Sequence, residues 1–226
     1  MLLLFDIDGT LVRSRPLTHQ VALTDAMVEV FGLEVAPGAE PVRDAEPWGK
    51  TDRQILRDVL AAAGIDPPDA EAVARWQDAA CVAYERLETE DASADHGNTA
   101  AALERLRAAG HTLALVTGNL EPIARRKLAL RGLDRFFPSG GGGFGSDGDL
   151  RPELVPIARA RAGTGSRPYP REQTVLIGDT PRDVEAALAD GVRAIAVEGA
   201  RFSAQALLAA GASAVIGEIA ELEGVL

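Results

Sequence analysis

A single cysteine, Cys81, occurs in 226 residues, so no intramolecular disulfide can form and the chain suits a reducing cytosol. It sits in Ala79-Ala80-Cys81-Val82-Ala83, a helical stretch in which a free thiol reads as a buried structural group. Histidine is almost as scarce. His19, His96 and His111 are scattered, none at metal-ligand spacing; His19 is expected on a helix surface and the other two in loops. No apolar run is long enough to span a bilayer. The N-terminal apolar run has no basic flank and is too short for a signal peptide. Positive charge is in deficit: 23 Lys and Arg face 34 Asp and Glu, a net charge of -11. Such a surface disfavours nucleic acid and anionic membranes as partners. It also repels an anionic substrate, so an anionic ligand needs a local cation or a metal.

What is present supports a folded α/β protein. Hydrophobic residues make up 46% and charged ones 25%, which allows a sizeable core. The length fits one large domain or two modest ones. The run Leu2-Leu3-Leu4-Phe5 predicts a short strand buried on both faces. After a linker to Pro16 carrying Arg13 and Arg15, helical spacing is expected over Leu17 to Phe31, Thr51 to Ala63 and Asp69 to Leu87. The Pro-, Gly- and acid-rich stretch Val35 to Gly49 is expected to be irregular. No strand interrupts this block.

Beyond it, helices and strands alternate. Helices are predicted over Thr99 to Ala109, Pro122 to Leu130, Pro152 to Ala162, Pro181 to Ala189 and Ser203 to Ala210. Strands are predicted over Thr112 to Val116, Thr174 to Ile177, Val192 to Val197 and Ala214 to Ile216, with Phe136 to Gly145 a Gly-rich strand or loop. The alternation implies a doubly wound parallel sheet, a Rossmann-like core, with an all-helical insertion after the first strand. Residues 1–15 and 92–226 would form the core and 16–91 the insertion. Gly140, Gly142 and Gly145 match a dinucleotide-binding pattern, but no clear strand precedes them and no helix follows at once. A flexible loop is the expectation.

Three strands end in polar residues. The first runs into Asp6-Ile7-Asp8-Gly9-Thr10, the second into Thr117-Gly118-Asn119, and a third into Gly178-Asp179-Thr180, with Asp183 one helical turn on. Open α/β sheets bind ligands at the carboxyl ends of their strands. Asp6 and Asp8 repel each other unless a cation or a shared proton offsets them, and a divalent metal does so most simply. The turn at Gly9 is expected to splay them. The carboxylates suit a hard cation bound through oxygen. The hydroxyl, amide and helix N-terminal N–H groups suit phosphate oxygens. A calcium loop is excluded because the glycine falls at the wrong offset.

These motifs, in this order and joined by a basic residue ahead of a helix at Arg151-Pro152, resemble the haloacid dehalogenase superfamily, in its phosphatase branch and closest to phosphoglycolate phosphatases. The resemblance implies a helical cap on a Rossmann-like core. It implies Asp6 as nucleophile and Asp8 as general acid and then general base. Mg2+ would be held by Asp6, the Asp8 backbone carbonyl, Asp179 and Asp183. Thr117 and Gly118 would hold phosphoryl oxygens, with Asn119 beside them. The family's third motif has Lys where this chain has Arg151, whose planar fork is no equivalent of an ammonium. Arg151 is expected to take that role; the alternative is that Lys127 or Lys50 supplies the charge. The loop Trp48-Gly49-Lys50-Thr51-Asp52 either is exposed with Trp48 as anchor or, as the resemblance implies, faces the active site with Lys50 on the leaving group. The reading is a cytoplasmic, Mg2+-dependent phosphatase of a small phosphorylated metabolite, monomer or homodimer, working through an aspartyl-phosphate. A phosphosugar mutase of the same superfamily is the alternative. A 2-haloacid dehalogenase, for which Asp8 would be superfluous, and a non-catalytic phosphate-binding module fit less well.

Overall fold

Leu2, Leu3, Leu4 and Phe5 are all fully buried, as a strand hidden on both faces must be. In the computed structural model, which describes residues 1–13, 17–88 and 97–226, they form β1 (Leu2–Phe5). This strand lies inside a parallel sheet with β2 (Thr112–Thr117), β3 (Gly143–Phe144), β4 (Thr174–Gly178), β5 (Arg193–Val197) and β6 (Ala214–Ile216). The strand order is β3-β2-β1-β4-β5-β6. Leu2 pairs in register with Thr112 on one side and Thr174 on the other, so β2 and β4 end beside β1.

Side chains alternate across the pleat. Leu3 and Phe5 pack with Leu103 and Leu106 of α5 (Gly97–Ala108) and with Ala124 and Leu128 of α6 (Glu121–Ala129). Leu2 and Leu4 share the opposite cluster with Leu154 and Ala158 of α7 (Arg151–Ala162), Val184 of α8 (Pro181–Ala189) and Leu207 of α9 (Ala204–Ala209). Helices on both faces make this the doubly wound core expected.

Between β1 and α5 lie α1 (Thr18–Phe31), α2 (Pro41–Asp44), α3 (Asp52–Ala62) and α4 (Ala70–Leu87). They build a separate apolar cluster around Trp76, which is fully buried and whose indole N–H donates to the Leu23 carbonyl at 3.4 Å. The cluster continues onto Leu120 and Ile123 at the start of α6, so the helical block is seated on the sheet's carboxyl edge by apolar contact. The expected borders of the block at 15/16 and 91/92, with Arg15 and His96, lie outside the described residues.

Three expectations need correction. The irregular stretch contains the one-turn helix α2, started by Pro41 at a first-turn position where its missing N–H costs nothing. The Gly-rich segment is not all loop: Gly143–Phe144 pairs with Val116 and Thr117 as an edge strand. Cys81 is half-buried on α4, with burial pushing its thiol up to about 11. No helix among the described residues is long and apolar enough to cross a membrane.

Trp76 fills the centre of the helical block, so Trp76→Ala should destabilise it by about 3–5 kcal/mol, as for other large buried aromatics. Urea unfolding followed by far-UV circular dichroism measures this; a loss below about 1 kcal/mol would mean that the block is not organised around this side chain.

Candidate active site

β1 stops at Phe5 because the chain turns at once. The Ile7 carbonyl accepts from Val12 N–H at 2.8 Å, and Gly9 takes the left-handed conformation at φ 93°. The turn sends the two acids apart. Asp6 meets Arg151, and Asp8 meets Asn119 and Lys127. The splaying expected from Gly9 is found.

Asp6 joins Asp179 and Asp183 in a buried acidic cluster. One carboxylate oxygen from each lies within 4.8 Å of the others. Asp183 is not the exposed first-turn acid that its position in isolation suggests; it is 2% exposed. A reciprocal cap fixes it: Thr180 N–H and Oγ1 donate to Asp183 Oδ2 at 3.0 and 2.7 Å. That leaves Oδ1, buried, facing the cluster and Arg151. A Cβ at Gly178 would collide with the Asp183 carboxyl, so glycine at the end of β4 is required for this approach.

Arg151, the first residue of α7, is 4% exposed and ion-paired with Asp6 Oδ1 at 2.7 Å and with Asp183 Oδ1. Burial lowers and the surrounding acids raise its affinity for a proton, and the acids prevail. Three carboxylates against one guanidinium leave two formal negative charges, the charge of one divalent cation. Burial pushes the Asp6 carboxyl up to about 6; Asp183 and Asp8 add to this and Arg151 opposes it. An all-oxygen donor set of three buried carboxylates fits a hard divalent ion.

Asp8 belongs to a second, differently charged group. Its Oδ2 accepts from Asn119 Nδ2 at 2.8 Å and from Lys127 Nζ at 2.6 Å. Burial is the largest single influence and works against ionisation here too, but the Lys127 ammonium, His19 and the hydrogen bonds from Lys127 and Asn119 together outweigh it and hold Asp8 well below the usual carboxylate range. Asn119 Nδ2 also reaches Thr117 Oγ1 at 2.7 Å, tying the second motif to the first.

The helical block covers this edge and encloses a cavity of about 110 Å³ between Asp6, Asp8 and Thr117 on the sheet side and Leu23, Trp48 and Ile55 above. Asp52 N–H donates to the Gly118 carbonyl at 2.8 Å, and Leu120 N–H donates to Asp52 Oδ2 at 2.8 Å. A Cβ at Gly118 would strike the Lys50 carbonyl, so only glycine permits this seating. Arg53 and Arg57 of α3 hold Asp149 at 2.8 and 2.7 Å, two residues before Arg151. The Trp48–Asp52 loop therefore does face the cavity. Lys50 lines it, but its ammonium is bonded to Asp58 at 2.7 Å and to the Ala45 carbonyl.

The structure thus brings together Asp6, Asp8, Thr117, Gly118, Asn119, Arg151, Asp179 and Asp183. It corrects His19, which lines the cavity rather than the helix surface, 3.0 Å from Asp52 and 3.2 Å from Lys127. Asp52 and the Asp8 contact of Lys127 were not expected. The signal for Lys127 was available: it interrupts the buried stripe Ile123, Ala124, Leu128 on α6, where an unpartnered lysine would be costly.

A doubly wound sheet with buried carboxylates at its strand ends, roofed by helices, defines an α/β protein with a candidate ligand site at the sheet's carboxyl edge. The profile of haloacid dehalogenase-like hydrolases matches residues 3–188, and the chain belongs to that family. It is 32% identical over 203 residues to a phosphoglycolate phosphatase of Cereibacter sphaeroides, covering 88% of this chain and 86% of the relative. A phosphoglycolate phosphatase of Pseudomonas putida is 29% identical over 198 residues, 86% of this chain and 68% of the relative. CbbY from Rhodobacter sphaeroides, solved in complex with phosphate, shares the fold with a TM-score of 0.71 at 20% identity, over 98% and 95% of the two chains. The protein is an enzyme, a hydrolase akin to phosphatases.

Metal ligands must be deprotonated, and Asp6 is raised to about 6. Divalent-cation affinity, measured by calorimetry, should strengthen as pH rises through about 6 and level off above it. Affinity that stays constant through this range would remove Asp6 from the ligand set.

Proposed function

We propose that this hydrolase is a Mg2+-dependent phosphatase that cleaves a small phosphorylated metabolite, of the size of phosphoglycolate, through an aspartyl-phosphate on Asp6. One observation carries the reading: two carboxylates separated by a single residue are held in opposite electrostatic settings. Asp6 lies in the acid cluster beside Arg151, and Asp8 lies apart from it under Lys127. Pairs whose proton affinities are pushed apart mark a division of labour.

Asp6, the Asp8 backbone carbonyl, Asp179 and Asp183 would hold the cation, which when bound offsets charge on the phosphoryl oxygens. The Asp6 carboxylate attacks phosphorus while the ester P–O bond breaks and a proton passes from Asp8 to the leaving oxygen. A water then attacks the phosphorylated Asp6. Asp8 takes the water's proton, the acyl–phosphate bond breaks, and inorganic phosphate leaves with Asp6 restored. Asp8 at rest is ionised, as the second step needs. A phosphoryl group arriving as the singly protonated monoanion raises the proton affinity of Asp8 and supplies the proton that Asp8 passes on in the first step; the proton taken from water in the second returns to the phosphate as it leaves. Thr117 and the Gly118 N–H bind phosphoryl oxygens, with Asn119 bracing Thr117. Arg151 directs Asp6 and adds positive charge.

We assign residues 1–15 and 92–226 to a catalytic core and 16–91 to a cap that excludes water from the cavity. Lys50 serves the leaving-group end by holding the Trp48–Asp52 loop through Asp58. A lone half-buried thiol and the acidic surface support a cytoplasmic protein, acting as monomer or homodimer.

Asp6→Asn should lower turnover by several orders of magnitude, since it removes the attacking anion. Retention of a tenth of wild-type activity on an aryl phosphate would rule out the covalent route.

Asp8→Asn should bind Mg2+ and phosphate as before, yet lose roughly 10²–10⁴-fold in turnover of an alkyl phosphate. Exhaustive chelation should stop phosphate release, with Mg2+ restoring it and Ca2+ doing so poorly because it favours a looser, higher-coordinate shell. Undiminished release in chelator would contradict the metal assignment.

A further inference from the structure

Lys127 is 4% exposed on α6 and belongs to none of the motifs. Its ammonium makes three contacts: Asp8 Oδ2 at 2.6 Å, Asn119 Oδ1 at 2.8 Å and His19 Nδ1 at 3.2 Å. Three donors on one nitrogen meet three acceptors, which fixes the direction of every bond. Because an ammonium only donates, His19 Nδ1 must accept. The ring proton then lies on Nε2 and is donated to Asp52 Oδ2 at 3.0 Å. Asp52 is itself held by Leu120 N–H. A directed chain therefore runs from Asp8 through Lys127 and His19 to Asp52 at the start of α3.

At the other end, Lys127 Nζ and Asn119 Nδ2 converge on the same oxygen of Asp8, Oδ2. An oxygen already accepting two hydrogen bonds, one from a cation, is a poor seat for a proton. The orientation of the Asp8 carboxyl is thereby fixed.

We propose that Lys127 is a positioning residue for Asp8: with Asn119 it clamps Oδ2 and so orients the carboxyl for proton transfer to and from the reacting oxygens, while His19 and Asp52 hold Lys127 in place. The proposal rests on the acid–base role given to Asp8. A positioning role differs from a packing role in its dependence on the leaving group. Forming the aspartyl-phosphate from an alkyl phosphate needs a proton on the departing oxygen, whereas an activated aryl phosphate needs little help.

The test is rapid-mixing kinetics on the Mg2+-loaded enzyme, reading the first turnover, with Lys127→Met keeping the apolar stem and losing the donor. The first-turnover rate on an alkyl phosphate should fall on the order of 10²-fold, and that on a nitroaryl phosphate by no more than about three-fold. Equal losses on both substrates would show that Lys127 only shapes the site, and no loss on either would show that Asp8 is held without it; either result overturns the proposal. If Lys127→Met does not fold, Lys127→Gln, which keeps a neutral N–H donor, undergoes the same comparison, with a smaller alkyl-selective loss expected and an equal loss on both overturning it. Asp8→Asn run alongside separates the two levels. If it shows no leaving-group dependence, the acid–base reading of Asp8 has failed; if it does and Lys127→Met does not, only the positioning role has.

Discussion

The repulsion among buried carboxylates is the constraint on which the rest of this structure depends. Asp6, Asp179 and Asp183 bring oxygens within 4.8 Å of one another where little water can screen them. Taking a charge out of water is costly unless a partner is supplied, so each neighbour must contribute one. Arg151 contributes a guanidinium, the Thr180 cap spends one Asp183 oxygen on the backbone, and the remaining negative charge suits a divalent cation. Asp8 escapes the cluster because the turn after Ile7 points it toward a different cation, Lys127.

The choice of arginine at the start of α7 has a physical reason in this setting. A planar fork can touch two carboxylates at once, and Arg151 does so, spanning Asp6 and Asp183. A guanidinium spread over both acids leaves no single ammonium near Asp8. The chain supplies that separately, from α6. At this site two buried cations, Arg151 and Lys127, thus face two acid groups, one each.

The helical block takes part in the same balance. Its apolar cluster ends on Leu120 and Ile123, but its register is set by polar contacts: Asp52 on the Gly118 and Leu120 backbone, and Asp149 between Arg53 and Arg57. The glycine of the second motif permits the Lys50 carbonyl to approach. One loop residue therefore serves both the strand-end site and the seating of its cover.

Much of this was legible in the sequence alone. The wholly apolar Leu2–Phe5 dictated a central strand, because nothing on it could face water. The recurrence of strand, polar turn and helix dictated a parallel sheet with Asp6, Thr117 and Asp179 at one edge. Those inferences are local, since periodicity and turn chemistry act over a few residues. What the sequence could not settle are relations between segments far apart along it. Lys127 and Asp8 are separated by 119 residues, and His19 and Asp52 by 33; only the packing of α1, α3 and α6 brings them into contact. Arg151 is expected from the sequence as a cation at a helix start, but that it spans two acids at once is decided by the sheet. Lys50, placed by the resemblance on the leaving group, is claimed by Asp58 of α3. Charge type is written in the sequence; charge partnership is decided by the tertiary structure, because an ion pair depends on distance in space and desolvation on what surrounds it.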